Sequence, residues 1–282
     1  MNISLDSYYE IGNDHVVCDD YALHGQVNGM YYAIVADGCS SSKNTDIGSR
    51  IVAHSAVVAL SKINDPSFLS PEKDSLLVDA PFPVSSALGN LILGELHHMS
   101  KSILLPSSAF DSTLVLLLLY KNRLWHFMWG DGSIIWSYGD QLQLLQVKYH
   151  DEAPYYLSYQ LDPIRDHAYC EQFKWQNKEI CYTLGFDSRH FSEPLQPYFE
   201  YKDLDYFNNY DSVSVVVTTD GIDSYNHLPV EIAAKQYVDY KNTAGYFVTR
   251  RMRRIRRNCL NDNIEHYDDI ACAAMHIKDF HA

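Results

Sequence analysis

Residues 31–50 read Tyr-Tyr-Ala-Ile-Val-Ala-Asp-Gly-Cys-Ser-Ser-Ser-Lys-Asn-Thr-Asp-Ile-Gly-Ser-Arg. The stretch opens as an apolar run containing the β-branched Ile34 and Val35, the composition of a buried strand over 31–36. It stops at Asp37-Gly38, and a polar loop leads to a helical pattern over about 48–62 through Ile51, Val52, Ala56 and Ala59. Such a pair is either an ordinary turn or a metal position. In the second reading the strand fixes the carboxylate and the glycine lets the backbone approach the same ion.

The same junction recurs downstream. Residues 213–219, Val-Ser-Val-Val-Val-Thr-Thr, predict a strand that ends at Asp220-Gly221. A last strand, Ile270 to Ile277, opens directly after Asp268-Asp269. Its small residues suit a central strand that is tightly covered. Thr113–Leu119 predicts a strand buried on both faces, followed by strands over Arg123–Trp129, Ser133–Tyr138 and Gln141–Val147 with short turns between them. This reads as an antiparallel meander, with Asp131 between Gly130 and Gly132 at one of its turns.

Upstream, residues 1–30 read as two short strands, the first containing His15-Val16-Val17-Cys18 and meeting the pair Asp19-Asp20. Adjacent carboxylates beside a buried strand are tolerated when solvated, or when a cation or several donors sit between them. A loop rich in Pro, Ser and Asp is expected over 65–84 and a helix over about 85–102, on which His97 and His98 are ordinary surface or core-edge residues. Residues 148–210 carry four prolines and many aromatics, and read as a less regular lobe with a strand over 179–184. Helices are expected over about 229–240 and 243–260.

The 282 residues suit one large domain or two small ones, and 46% apolar residues are ample for a core. A net charge of -14 disfavours a broad nucleic-acid face. Six cysteines without metal-ligand spacing read as reduced and packed. The N-terminus shows neither a basic nor an apolar leader segment, and no apolar run is long enough to span a membrane. A cytoplasmic protein is therefore expected.

Asp37, Asp131, Asp220 and Asp268 each stand at the end of a buried-looking strand, with Asp19 and Asp20 as a further pair. Gathered at one sheet rim, they would repel one another by several kcal/mol, on the order expected for buried like charges, unless cations neutralise them. Oxygen ligation selects Mg²⁺ or Mn²⁺, and the absence of a matching His/Cys set argues against zinc. A pair of such ions suits hydrolytic phosphoryl transfer.

The motifs His15-Val-Val-Cys-Asp-Asp20, Val35-Ala-Asp-Gly38, Asp111-Ser-Thr-Leu114, Trp129-Gly-Asp-Gly132, Thr218-Thr-Asp-Gly221 and Tyr267-Asp-Asp-Ile270 occur in an order that resembles the metal-dependent protein phosphatases of the PP2C (PPM) family, the bacterial branch in particular. The resemblance implies an α+β fold, an α-β-β-α sandwich of two antiparallel sheets between helical layers, with residues 1–282 as a single domain. It implies hydrolysis of phosphoserine and phosphothreonine in proteins by a metal-activated water at a two-metal centre. By the same resemblance Asp37 bridges both ions, the Gly38 carbonyl binds one, and Asp220 and Asp268 complete the other. Asp19 and Asp20 bind the second ion directly or through water, Asp131 holds a third, weaker ion, and Asp269 lies beside the ligands. His15 and Asp20 are the candidate catalytic side chains.

The chain departs from the family pattern twice. His15 stands where eukaryotic members have a phosphate-binding Arg, and Cys39 stands where a candidate proton-donating His is common. Slower turnover is the expectation. The competing readings are a catalytically silent module that binds a phosphoprotein or a kinase, and an enzyme of the same fold acting on a small phosphomonoester. Finally, Arg250–Arg257 carries six arginines in eight positions. It reads as a solvated amphipathic helix or as a face for an acidic partner or a membrane, with nucleic acid the weakest option.

Overall fold

A computed structural model of the chain describes residues 1–63, 84–173, 178–184, 187–193 and 197–280. The loop read over 65–84 lies outside these residues except for Val84. The strand at the centre of the opening stretch forms as β3 (Met30–Ala36), between β2 (Tyr21–Val27) and β4 (Leu114–Tyr120). Side chains alternate along a strand. In β4, Val115, Leu117 and Leu119 therefore enter one core, while Leu114, Leu116 and Leu118 enter another. Each of these buried aliphatic side chains contributes about 2 kcal/mol to folding.

Two antiparallel sheets result. The smaller runs β10-β5-β4-β3-β2, with β5 at Arg123–Trp129 and β10 at Tyr198–Asp203. The larger runs β1-β12-β11-β6-β7-β8-β9. Its members are β1 (Asn2–Glu10), β6 (Gly132–Tyr138), β7 (Gln141–Tyr149), β8 (Lys178–Leu184), β9 (Asp187–Glu193), β11 (Ser212–Thr218) and β12 (Ile270–Lys278). The sheets pack face to face over a shared core that includes Val35, Val115, Val215 and Ala273. Helices α1 (Thr45–Lys62) and α2 (Val84–Ile103) cover the smaller sheet through Val52, Ala56, Leu88 and Ile92. Helices α4 (Val230–Val238) and α5 (Phe247–Asn261) cover the larger one through Ala234, Tyr237, Met252 and Ile255. This is the expected α+β sandwich, with helices outside two antiparallel sheets. The small residues of β12 follow from its position: it lies between β1 and β11, with both faces buried.

The structure corrects three of the local readings. His15–Cys18 is not a strand, and Val16 is 96% exposed. The segment is turned because its flanks bond elsewhere: Asn13 N donates to the His266 carbonyl at 3.1 Å and Asp14 N to the Tyr267 carbonyl at 3.0 Å. The first strand is instead β1, whose polar Asp6 is buried and accepts from Thr249 N at 3.0 Å near the start of α5. A carboxylate there suits the positive end of the helix.

The four-strand meander is the second correction. β4 and β5 belong to the smaller sheet and β6 and β7 to the larger, so the chain changes sheets at Gly130-Asp131-Gly132. The third concerns residues 148–210. They contribute α3 (Pro163–Phe173), but also β8 and β9, which extend the larger sheet, and β10, which edges the smaller. They are therefore partly woven into both sheets.

Candidate metal centre

Strand register explains how distant carboxylates come together. Thr218, the last residue of β11, pairs with Cys272 near the start of β12 and with Ser133 near the start of β6. Asp220, Asp268 and Asp131 therefore leave the larger sheet at one rim. In the smaller sheet, β3 ends where β4 begins, and a bridge between Gly38 and Ser112 continues that pairing past Asp37. Trp129, at the end of β5, lies opposite Leu114 on the same rim. The sheet crossover joins the two rims. Gly130 at φ +85° and Gly132 at φ +133° adopt backbone angles that L side chains rarely reach, which lets the chain turn between sheets with Asp131 at the turn.

Asp37, Asp131, Asp220 and Asp268 line one cavity of about 570 Å³, together with Gly38, His15 and Cys39. Burial, reinforced by neighbouring carboxylates, holds Asp37 and Asp131 well above the usual carboxylate range. Asp220 is pushed up to about 6 by burial and then by Asp268, against a hydrogen bond with Asp37. Burial raises Asp268 as well. Such crowding disfavours a fully ionised cluster and favours any cation that can enter it.

Asp20 lies behind this group. It is 2% exposed, accepts from Thr219 Oγ1 at 2.6 Å, and is held well above the usual range by burial, despite that bond, with Asp220 among the contributing charges. Asp19 is set apart from the cavity. Its side chain accepts from Thr45 Oγ1 at 3.1 Å, and its carboxyl is raised by burial. Atoms of His15, Asp19 and Asp269 lie within 4.8 Å of one another and form a smaller acidic cluster.

Asp269 organises the loop that carries the acidic pair. Its Oδ1 accepts from Gly12 N at 2.8 Å and its Oδ2 from Asp19 N at 2.6 Å. A Cβ at Gly12 would lie 2.2 Å from the Asp268 carbonyl carbon, so the close approach of these two segments requires glycine. His15 closes the same contact, with Nε2 3.1 Å from Asp268 and Nδ1 3.2 Å from Asp269. Both ring nitrogens therefore face carboxylates.

Cys39 lies beside Asp37 with its sulfur 3.1 Å from Ser41 Oγ. Burial pushes its thiol up, but hydrogen bonds from Ser41 and Tyr156 outweigh this and leave it lowered. The Cys39 N–H donates to the Asp111 carbonyl at 2.8 Å. The Asp111 carboxylate is buried and holds three donors: Ser42 at 2.8 Å, Ser158 at 2.7 Å and Arg165 at 2.6 Å. This network anchors the loop after Asp37-Gly38 to the segment around α3.

Several lining residues escaped the sequence reading. Lys148 sits on the cavity wall and bonds to Asp223 at 2.6 Å, and Gln146 bonds to the same carboxylate at 3.1 Å. The only local sign of them is the period-two spacing of Gln146 and Lys148 along β7, which Gln141 and Gln143 blur. Glu152 also lines the cavity, from a stretch in which Asp151 (φ 57°) and Glu152 (φ 50°) are both left-handed. Non-glycine residues held there cost about 1 kcal/mol or more each.

The donor set fits divalent metal. The cavity presents carboxylates crowded without enough cations to balance them, and oxygen donors suit Mg²⁺ or Mn²⁺.

The family model described as "Protein phosphatase 2C" matches residues 11–266. Among solved structures, the serine/threonine phosphatase Stp1 from Staphylococcus aureus is 13% identical with a TM-score of 0.59, over 99% of this chain and 96% of that one. The S. agalactiae serine/threonine phosphatase is 14% identical with a TM-score of 0.57, over 97% and 99%. A bacterial serine phosphatase is 12% identical with a TM-score of 0.59, over 98% of each chain. At these identities the likeness is one of fold. No curated protein sequence matches the chain.

Proposed function

The chain belongs to the protein phosphatase 2C family, and from that premise we propose that it hydrolyses phosphoserine and phosphothreonine in proteins at a centre of two Mg²⁺ or Mn²⁺ ions. The observation that carries this reading is the convergence of Asp37, Asp131, Asp220 and Asp268 on one cavity. Asp37, Gly38, Asp220 and Asp268 would hold the two ions and Asp131 a third, while Asp20, behind them, and Asp19, outside the cavity, would act through water. When bound, the ions supply an activated water and screen charge on the transferring phosphoryl group.

The chain's own side chains prepare that site. Thr219 fixes Asp20, and Asp269 fixes the loop bearing Asp19. Lys148 adds a positive charge to the cavity wall and is held in place by Asp223. His15 lines the cavity with both ring nitrogens against carboxylates, so it would serve a substrate phosphate only by exchanging its Asp268 or Asp269 contact for it.

The direct test is metal dependence. Purified protein should hydrolyse an aryl phosphate and a phosphothreonine peptide with Mn²⁺ and lose that activity in EDTA. Full turnover after exhaustive chelation would exclude the mechanism. Mn²⁺ binding without hydrolysis of any phosphomonoester would leave a binding module instead.

His15 gives a second test. If it serves the phosphate, His15→Ala should raise KM several-fold and leave Mn²⁺ affinity unchanged by titration calorimetry. The opposite pattern, weakened Mn²⁺ binding at constant KM, would make His15 a positioning residue for Asp268 and Asp269 and remove it from substrate contact.

A further inference from the structure

We propose that the groove between β1 and α5 is a docking site for an acidic peptide segment of a partner protein, separate from the carboxylate cavity. Helix α5 packs its apolar side, Phe247, Val248, Met252, Ile255 and Cys259, against the larger sheet. Its six arginines occupy most of the remaining positions. Three are satisfied within the fold. Arg250 bonds to Asn242 and to the Ala244 carbonyl, Arg251 to Asp239 and to the Gln236 carbonyl, and Arg256 to Glu10 at 3.0 Å.

Arg253, Arg254 and Arg257 are exposed, and among the described residues none has a carboxylate within ion-pairing distance. Arg253 and Arg257 are four positions apart and so share one helix face, where like charges repel. With Arg256 they line a groove of about 530 Å³. Tyr8 and Tyr9 of β1 and Leu260 complete the lining. Leu260 is 67% exposed, and the Tyr8 hydroxyl is tied to Glu10 at 2.7 Å. On its side away from β12, β1 has no strand partner among the described residues.

The groove thus combines guanidinium forks suited to carboxylates with an aromatic and aliphatic wall. Charge complementarity names the occupant. The chain as a whole is strongly acidic, with a net charge of -14 even with these arginines included. A broad polyanion such as a membrane surface or a nucleic acid meets that repulsion over its whole extent, whereas a short acidic segment confined to the groove meets chiefly the arginines. An extended segment bearing Asp or Glu with one apolar side chain matches the forks and the Leu260 end.

The test is fluorescence anisotropy of a fluorescein-labelled Glu-Glu-Leu-Glu-Glu-Tyr peptide with the full chain. Wild type should bind with an affinity that falls as salt rises. The double variant R253E/R257E should bind at least about tenfold more weakly, the loss of roughly one charge-assisted contact. R254E, on the same helix but outside the groove, should bind within about twofold of wild type, which separates the groove from bulk charge. Aryl phosphate turnover should be unchanged in all three proteins, and thermal melts should confirm that the variants are folded. No measurable peptide binding by wild type would overturn the proposal, as would equal binding by R253E/R257E. Stronger competition from phosphatidylserine vesicles or from a single-stranded oligonucleotide than from unlabelled peptide would reassign the surface to a membrane or to nucleic acid.

Discussion

Replacing Asp37 with alanine is expected to lower turnover by at least about 10²-fold, the order of one lost electrostatic contact to a transition state, and to leave the chain folded. Asp37 lies at the centre of the acidic group, with Asp20, Asp220, Asp131 and Asp268 all contributing to its raised protonation, after burial. Removing it takes away the carboxylate proposed above to be shared between the two ions. It also relieves repulsion in the metal-free protein, so D37A should melt at or above the metal-free wild type. D131A should lose less activity, because Asp131 sits at the sheet crossover and would serve a peripheral ion. Titration calorimetry with Mn²⁺, run beside phosphopeptide turnover, measures both effects. The proposal fails if wild type binds no divalent ion or if D37A turns over substrate at the wild-type rate.

The second large effect is on stability. Arg165→Met should destabilise the fold by about 3 kcal/mol, the lower end for breaking a buried pair by removing one partner. The side chain of Asp111 is 3% exposed and its Oδ2 lies 2.6 Å from the Arg165 guanidinium. Without that cation the carboxylate keeps only its two serine donors, which places the loss at the lower end. Arg165 also stacks over Tyr159, with 4.7 Å to the ring centroid, and methionine preserves part of that packing. The double variant D111N/R165M should recover much of the loss, because it removes the stranded charge. Urea denaturation of the four proteins gives the coupling energy. An R165M variant within about 0.5 kcal/mol of wild type, the range of ordinary surface substitutions, would show that the pair is not needed.

The elements with a strong local pattern were legible in the sequence. β3, β4, β5 and β11 are apolar or β-branched runs closed by turn residues, and their ends fall within a residue or so of the reading. The gathering of Asp37, Asp131, Asp220 and Asp268 was foreseeable because each follows or precedes such a run. Sheet membership was not, since β4–β7 look alike locally and only the backbone at Gly130 and Gly132 reveals the crossover. β1 was hidden by its polar residues, whose partners are distant: Asp6 meets Thr249, and Glu10 meets Arg256. The Asp111–Arg165 pair and the contacts of His15 depend on tertiary proximity that no local spacing encodes. Residues 148–210 resisted reading because their strands are edge or outer members, built from short, mixed segments.

The order of strands in the larger sheet has a consequence for synthesis. Among the described residues β1 is paired only with β12, the first described strand with the last. At roughly 5–20 residues per second on the ribosome, β1 must wait on the order of tens of seconds for its partner. Asp268 and the backbone that clasps Gly12 arrive in the same late segment. The nascent chain therefore carries an unpaired strand and an incomplete acidic cluster until residues 268–278 have been made. A chain stopped before Asp268 would leave β1 without β12 and dismantle the cavity in one event.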